Sequence, residues 1–384
     1  MLGLLSLALL LGMSQWFTAS AVAPQLAERW VLTSGQSAWL TTVVTLGFVS
    51  GTAAAALLNL ADVFPSRWYF AGSALAAAAC NAALLVVGGF GAAVVTRFLT
   101  GLFLAGVYPP AMKMIATWFR SARGLAIGTV VGALTVGKAT PYLFKVFQGA
   151  SVTGVVGGAA IAGVIAAVLV AATYHDGPYA FAKRRFSWSL VASILRHRET
   201  MLATGGYLGH MWELYAMWTW VPAFLAAAAV ASGGPGHAWV DFAAFGAIAA
   251  GGAGCIWGGW AADRIGRSRV VNLAMAVSGV CCLLIGFLFD APFVVLAMVT
   301  WVWGFFVVAD SAQFSAMVTE VAPSDAVGTA LTLQTSMGFL LSMITIQGLP
   351  MVTEAVGWAW TFPILALGPA AGIASIVRLG ARPT

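Results

Sequence analysis

His210 and Glu213 stand three residues apart inside the apolar stretch Tyr207-Leu208-Gly209-His210-Met211-Trp212-Glu213-Leu214-Tyr215. On a helix, that spacing places an imidazole and a carboxylate on one face, with Trp212 and Tyr215 flanking it. Away from water such a pair can bind and release a proton. It can equally be a static hydrogen-bonded brace. Four more charges lie in apolar stretches: Lys138 beside Gly137 and near Pro141, Arg97 before Phe98-Leu99-Thr100-Gly101, Asp310 between Ala309 and Ser311, and Lys113, which lies near an inner end and reads as snorkelling to the surface. An ionised side chain in such a place costs about 2.5–3.5 kcal/mol on insertion scales, so each calls for a partner or a task. Lys138 can meet an anionic solute, neutralise a carboxylate or snorkel to a surface. Arg97 can pair with a carboxylate or stiffen helix packing, and Asp310 is a second candidate proton carrier. Gln15 and Gln334 add uncharged polar groups in mid-stretch, and several Trp offer pocket walls.

These residues need long helices to position them. Of the 384 residues, 61% are apolar and only 8% charged, with mean hydropathy +0.94. Runs of about 20 apolar residues recur, the length that crosses roughly 30 Å of hydrocarbon as helix. Pro, Gly and charge clusters divide the chain into twelve predicted spans, near 2–24, 34–58, 67–88, 91–117, 123–147, 153–174, 200–228, 239–260, 270–289, 292–317, 327–349 and 357–378. The alternation of a β-barrel is missing. The expected fold is an all-α integral membrane protein, twelve transmembrane helices in two pseudo-symmetric six-helix halves. The halves are residues 1–174 and 200–384, and 175–199 is a cytoplasmic linker with an amphipathic segment at 186–196.

With both termini in the cytoplasm, most Lys and Arg fall on cytoplasmic loops, including Arg67, Arg120, Lys183, Arg184, Arg185 and Arg264. That asymmetry accounts for the net charge of +6 without a nucleic-acid partner. Residues 1–22 could be a signal peptide, but no basic n-region precedes them, so they read as the first span. The four Cys lie in predicted spans without metal-ligand spacing and read as packing residues, with no metal or cofactor implied. The short loops leave no room for a catalytic domain, and no phosphate-binding Gly-x-x-x-x-Gly-Lys-Ser/Thr loop occurs, which argues against an enzyme.

One charged cluster repeats. Gly259-Trp260-Ala261-Ala262-Asp263-Arg264-Ile265-Gly266-Arg267 has a worn copy half a chain upstream, Leu60-Ala61-Asp62-Val63-Phe64-Pro65-Ser66-Arg67. Ser121-Ala122-Arg123-Gly124-Leu125-Ala126 and Ser324-Asp325-Ala326-Val327-Gly328-Thr329-Ala330 form a second repeated pair of turns. Such symmetry is common in secondary transporters.

On these motifs the chain resembles the major facilitator superfamily over essentially its full length. The cluster at 259–267 is similar to that family's loop signature, and Arg97 through Gly106 to its second motif. The resemblance implies alternating access, with Asp62, Arg67, Gly259, Asp263, Arg264, Gly266 and Arg267 as a cytoplasmic gate. Second-span and eighth-span arginines of the family's nitrate carriers are missing. The helix-five pattern of its drug antiporters is altered to Gly137-Lys138-Ala139-Thr140-Pro141, and its sugar-porter loop signatures are absent. The expected function is a monomeric, proton-coupled transporter of a small organic anion in the inner membrane. His210, Glu213 and Asp310 would carry protons, while Lys138 and Arg97 would face the solute. The alternatives are proton-driven efflux of amphipathic or cationic compounds, and a non-transporting membrane sensor.

Overall fold

The computed structural model describes residues 1–58, 60–119, 123–148, 151–179 and 187–380; the side chains of residues 61, 62, 123 and 148 lie outside that description. Among the described residues every regular element is a helix. In chain order these are α1 (Leu2–Met13), α2 (Thr18–Ala21), α3 (Ala23–Trp30), α4 (Ser34–Leu57), α5 (Leu60–Val63), α6 (Ser66–Ala83), α7 (Phe90–Leu104), α8 (Tyr108–Ala116) and α9 (Arg123–Gln148). Then follow α10 (Val152–Thr173), α11 (Trp188–Arg196), α12 (Arg198–Ala231), α13 (His237–Ile265), α14 (Arg267–Leu284), α15 (Phe293–Ala309), α16 (Ser311–Val321), α17 (Val327–Val356) and α18 (Leu367–Gly380). Nine segments among the described residues are long and apolar enough to cross a membrane. The predicted spans one, three and five are occupied by α1–α2, α6 and α9.

Local chemistry sets the ends. Thr33 and Gln36 close a reciprocal capping box at the start of α4, with side chain to backbone distances of 3.2 and 2.9 Å. Ser151 caps α10 through Gly154 N. Gly266 turns α13 into α14 at φ +89°, a conformation that disfavours any side chain.

Several predicted spans are broken rather than continuous. The first stops at Met13, resumes at Thr18 and turns again at Val22; Glu28 and Arg29 lie within α3, whose first turn holds Pro24. The fourth breaks between α7 and α8, where Pro109 and Pro110 occupy the first turn of the new helix. The tenth breaks at Asp310. By contrast, Pro141, Pro222 and Pro350 lie inside continuous helices. Pro141 cannot donate to Gly137 O, and the Thr140 hydroxyl does so at 2.7 Å. Pro350 leaves Ile346 O to the Trp220 indole, at 2.9 Å.

Helix contacts repeat along the chain. α4 packs on α7, as α13 does on α15; α1 packs on α9 and α10, as α12 does on α17 and α18; α6 packs on α10, as α14 does on α18. Two further contacts, α9 with α13 and α4 with α17, join the first set to the second. Small residues allow the α9–α13 approach: a Cβ on Gly132 would lie 2.6 Å from Gly252 O. We call the end of the bundle with the 259–267 cluster the basic end. Toward the opposite end both junctions carry polar clasps, Lys145 Nζ to Asp241 Oδ1 at 2.9 Å and Gln347 Nε2 to Thr42 Oγ1 at 2.9 Å.

Candidate functional site

The break in the first span is a stapled structure. Residues 14–17 leave the helix, so the carbonyls of Gln15 and Trp16 lose their helical donors. Arg97, fully buried on α7, supplies replacements: Nη1 donates to Gln15 O (3.1 Å) and Nη2 to Trp16 O (2.5 Å). The same Nη1 reaches Thr18 Oγ1 and Asn81 Oδ1, each at 3.0 Å, and Asn81 is tied to Val156 O on α10. Arg97, expected from the sequence to face a solute, has both Nη atoms on these acceptors and fixes the shape of the break. Gln15 turns the same way, its amide donating to Gly12 O and packing against Gly163 of α10.

What the break positions is Trp16. Its ring lies 4.0 Å from the ammonium of Lys138, which projects from α9 and is buried. Tyr215 and Trp218 of α12 present further ring faces at 4.6 and 5.3 Å, and the ammonium donates to the Tyr215 hydroxyl. Ring faces stabilise a cation electrostatically without accepting its N–H bonds in a fixed direction. Phe48 of α4 and Phe339 of α17 extend the cluster, with Trp16–Phe48 centroids 5.2 Å apart and Phe48–Phe339 5.0 Å apart. All five rings and Lys138 thus meet where α1, α4 and α9 approach α12 and α17. The indole N–H groups of Trp16 and Trp218 are buried there without an acceptor among the described residues. Two unmatched donors in one ring cluster are unusual for a buried region.

His210 and Glu213 do not form the expected pair. His210 Nδ1 lies 2.9 Å from Asp310 Oδ1, both side chains 1% exposed. The contact lacks hydrogen-bond alignment, and His210 Nε2 has no partner among the described residues. Tyr207 and Phe314 enclose the imidazole at 6.0 and 5.3 Å between centroids. Asp310 reaches it because the chain breaks there between α15 and α16. Gln334 of α17 donates to Phe314 O at 3.4 Å, and its carbonyl oxygen is unpartnered. Glu213 points elsewhere, accepting from Trp303 Nε1 (2.6 Å), Ser278 Oγ (2.9 Å) and Cys282 Sγ (3.1 Å). It joins α12 to α14 and α15. Trp212, expected to flank the pair, instead faces the segment before α18, where its indole donates to Ile364 O. The sequence reading missed Ser278 and Cys282 as partners of a carboxylate, although polar residues inside apolar runs were the available signal.

At the basic end, Asp263 lies against the first turn of α9; a Cβ on Gly124 would sit 3.2 Å from its Oδ2. Free N–H groups at a helix start favour an anion there. Gly259 allows this approach, since a Cβ on it would lie 3.1 Å from Gly124 O. Arg264 stacks on Trp260 at 3.8 Å. Arg267 bridges Glu320 Oε1 (2.8 Å) and Gln313 Oε1 (2.9 Å), one turn beyond Asp310, beside a solvent-open cavity lined by Glu199, Met317 and Glu320. Arg67 donates to Ala171 O at the end of α10, so it ties α6 to α10 rather than crossing to the other set of helices. The Asp62 side chain and residues 120 and 183–185 lie outside the described residues.

Comparison with individually curated proteins gives no match. The Major Facilitator Superfamily sequence profile, in contrast, matches residues 4–345, which takes in the stapled break, the Lys138 cluster, the His210–Asp310 contact and the 259–267 turn. The chain is a multi-pass membrane transporter belonging to the Major Facilitator Superfamily.

Proposed function

We propose that this secondary transporter moves a small organic anion by alternating access and couples the movement to protons. Residues 1–174 and 200–384 act as two six-helix bundles joined by 175–199, a division supported by the repeated helix contacts. The observation that carries the anion reading is the Lys138 ammonium, buried among ring faces without a carboxylate partner among the described residues, in a cluster where the indole N–H groups of Trp16 and Trp218 are also unmatched. A buried donor without an acceptor is costly, and an anion beside Lys138 supplies acceptors. Lys138 and Trp16 come from the first bundle, Tyr215 and Trp218 from the second. A solute there engages both bundles at once, which rocking about a midplane site requires.

Protons are carried by His210 and Asp310. His210 lies five residues before Tyr215 on α12, so the charge state of the pair and the position of the Lys138 site share one helix. Glu213 anchors that helix to α14 and α15. Both termini face the cytoplasm of a cell's inner membrane, and one chain suffices. Asp263 at the start of α9 holds the two bundles together on the cytoplasmic side, with the Arg267 bridges bracing α14 to α16 inside the second bundle, while Lys145–Asp241 and Thr42–Gln347 hold the opposite side. Cation efflux has less support, because Glu213 is already held by three donors and Asp310 already has an imidazole at contact distance.

The test is transport by the purified chain in proteoliposomes. Asp310→Asn is expected to lose accumulation driven by a pH gradient while still exchanging labelled anion across the membrane. Undiminished gradient-driven accumulation by that variant would sink the proton assignment.

A further inference from the structure

We infer that the solute is a monocarboxylate with a flat apolar body, an aromatic carboxylate of the benzoate type. This deepens the anion reading and rests on it. Charge limits the ligand first. Lys138 is the one cation in the ring cluster among the described residues, since Arg97, the nearby buried guanidinium, is already held by Gln15 O, Trp16 O, Thr18 and Asn81. A second negative charge would be buried without a counter-charge.

Donor count limits it next. Lys138 Nζ and the Nε1 atoms of Trp16 and Trp218 offer several N–H bonds, and the two oxygens of a carboxylate supply about four lone-pair sites. A sulfonate or phosphate would add acceptors that this set does not match. A sugar would bring hydroxyl donors into a region already rich in donors.

The walls limit the rest of the molecule. Trp16, Phe48, Phe339, Tyr215 and Trp218 follow one another at centroid distances of 5.2, 5.0, 5.2 and 5.4 Å in tilted or edge-on pairs. Aromatic rings pack favourably in such arrangements. In this conformation the rings and the ammonium close on one another. When the two bundles rock apart, a ligand ring takes a place in the series and its carboxylate replaces the Tyr215 hydroxyl at Lys138.

The experiment is isothermal titration calorimetry on the purified full chain with benzoate, acetate, phthalate, inorganic phosphate and benzyltrimethylammonium. Benzoate is expected to bind, acetate to bind at least about tenfold more weakly for want of the ring, and phthalate and phosphate to give no heat. Lys138→Met should abolish benzoate binding. If that variant does not fold, Trp218→Phe, which keeps a ring and loses the N–H, must weaken benzoate; unchanged affinity would overturn the assignment. Phthalate or phosphate binding as well as benzoate overturns the monocarboxylate class and leaves the anion reading in place. Heat from benzyltrimethylammonium alone, unchanged in Lys138→Met, overturns both. No heat from any of the five overturns the class.

Discussion

Arg97 and Lys138 are both cations buried in the first bundle, each with a side chain almost wholly out of solvent, yet their surroundings are opposites. Arg97 donates through both Nη atoms to two carbonyls, a hydroxyl and an amide oxygen, and its Nε has no acceptor among the described residues. Lys138 has one phenol and three ring faces. Acceptors use up a cation's N–H directions, whereas ring faces stabilise its charge and leave those directions open. The first arrangement fits a scaffold, and the second is the one proposed above as a place for a ligand. The buried carboxylates divide the same way: Glu213 has three donors, while Asp310 has an imidazole at contact distance without alignment.

The largest expected effect tests the scaffold side. Arg97→Ala orphans Trp16 O, leaves Gln15 O with only the Thr18 hydroxyl and removes packing, a loss of about 3 kcal/mol or more. Folded yield and melting temperature in detergent should both collapse. Arg97→Lys should rescue little, because one ammonium cannot span the same acceptors. Lys138→Met is expected to differ in kind. It removes a desolvated charge that has no carboxylate partner among the described residues, so the melting temperature should hold or rise while solute binding is lost. A fall comparable to that of Arg97→Ala would erase the contrast between the two cations. Glu213→Gln comes next. It turns an amide N–H toward one of three donors and should cost about 1–3 kcal/mol of stability, where Asp310→Asn costs little stability and abolishes coupling. Thermal melts of the two variants, side by side, check this.

Much of the frame was legible in the sequence because it follows from composition. The predicted span 34–58 appears as Ser34–Leu57, and the span beginning at 327 starts at Val327. The charges in apolar runs were visible as positions. Their partners were not. His210 and Glu213 are three residues apart, so their directions differ by about 60° on a helix. On α12, which touches several helices, that angle suffices to send one side chain to Asp310 and the other to Trp303. The break at 14–17 had no Pro or Gly within it to announce it; Arg97, distant in sequence, makes it possible. The break before α8 had the visible signal of Pro109 and Pro110. The Arg67 contact was hidden for another reason: a guanidinium can end on a backbone carbonyl, and no residue type marks Ala171 as an acceptor.

The smallest effect separates a binding site from a well-packed aromatic core most sharply. Trp218→Phe keeps a ring over Lys138 and deletes the indole N–H, which is buried without an acceptor, together with part of the indole ring. Trp303→Phe removes the same volume from another fully buried Trp, whose N–H is held by Glu213, so the cavity cost is common to both variants and the difference between them reads the N–H. In a passive core, loss of the Trp218 N–H has no consequence beyond stability. In a site built for an anion, the ligand also loses a hydrogen bond worth about 0.5–1.5 kcal/mol, or roughly two- to tenfold in affinity. Melting curves with and without saturating ligand read both: without ligand, Trp218→Phe should lose less stability than Trp303→Phe, and its ligand-induced shift should shrink. If Trp218→Phe lowers the ligand-free melting temperature as much as Trp303→Phe does, its N–H has an acceptor in solution, and Lys138 belongs with Arg97 as scaffold.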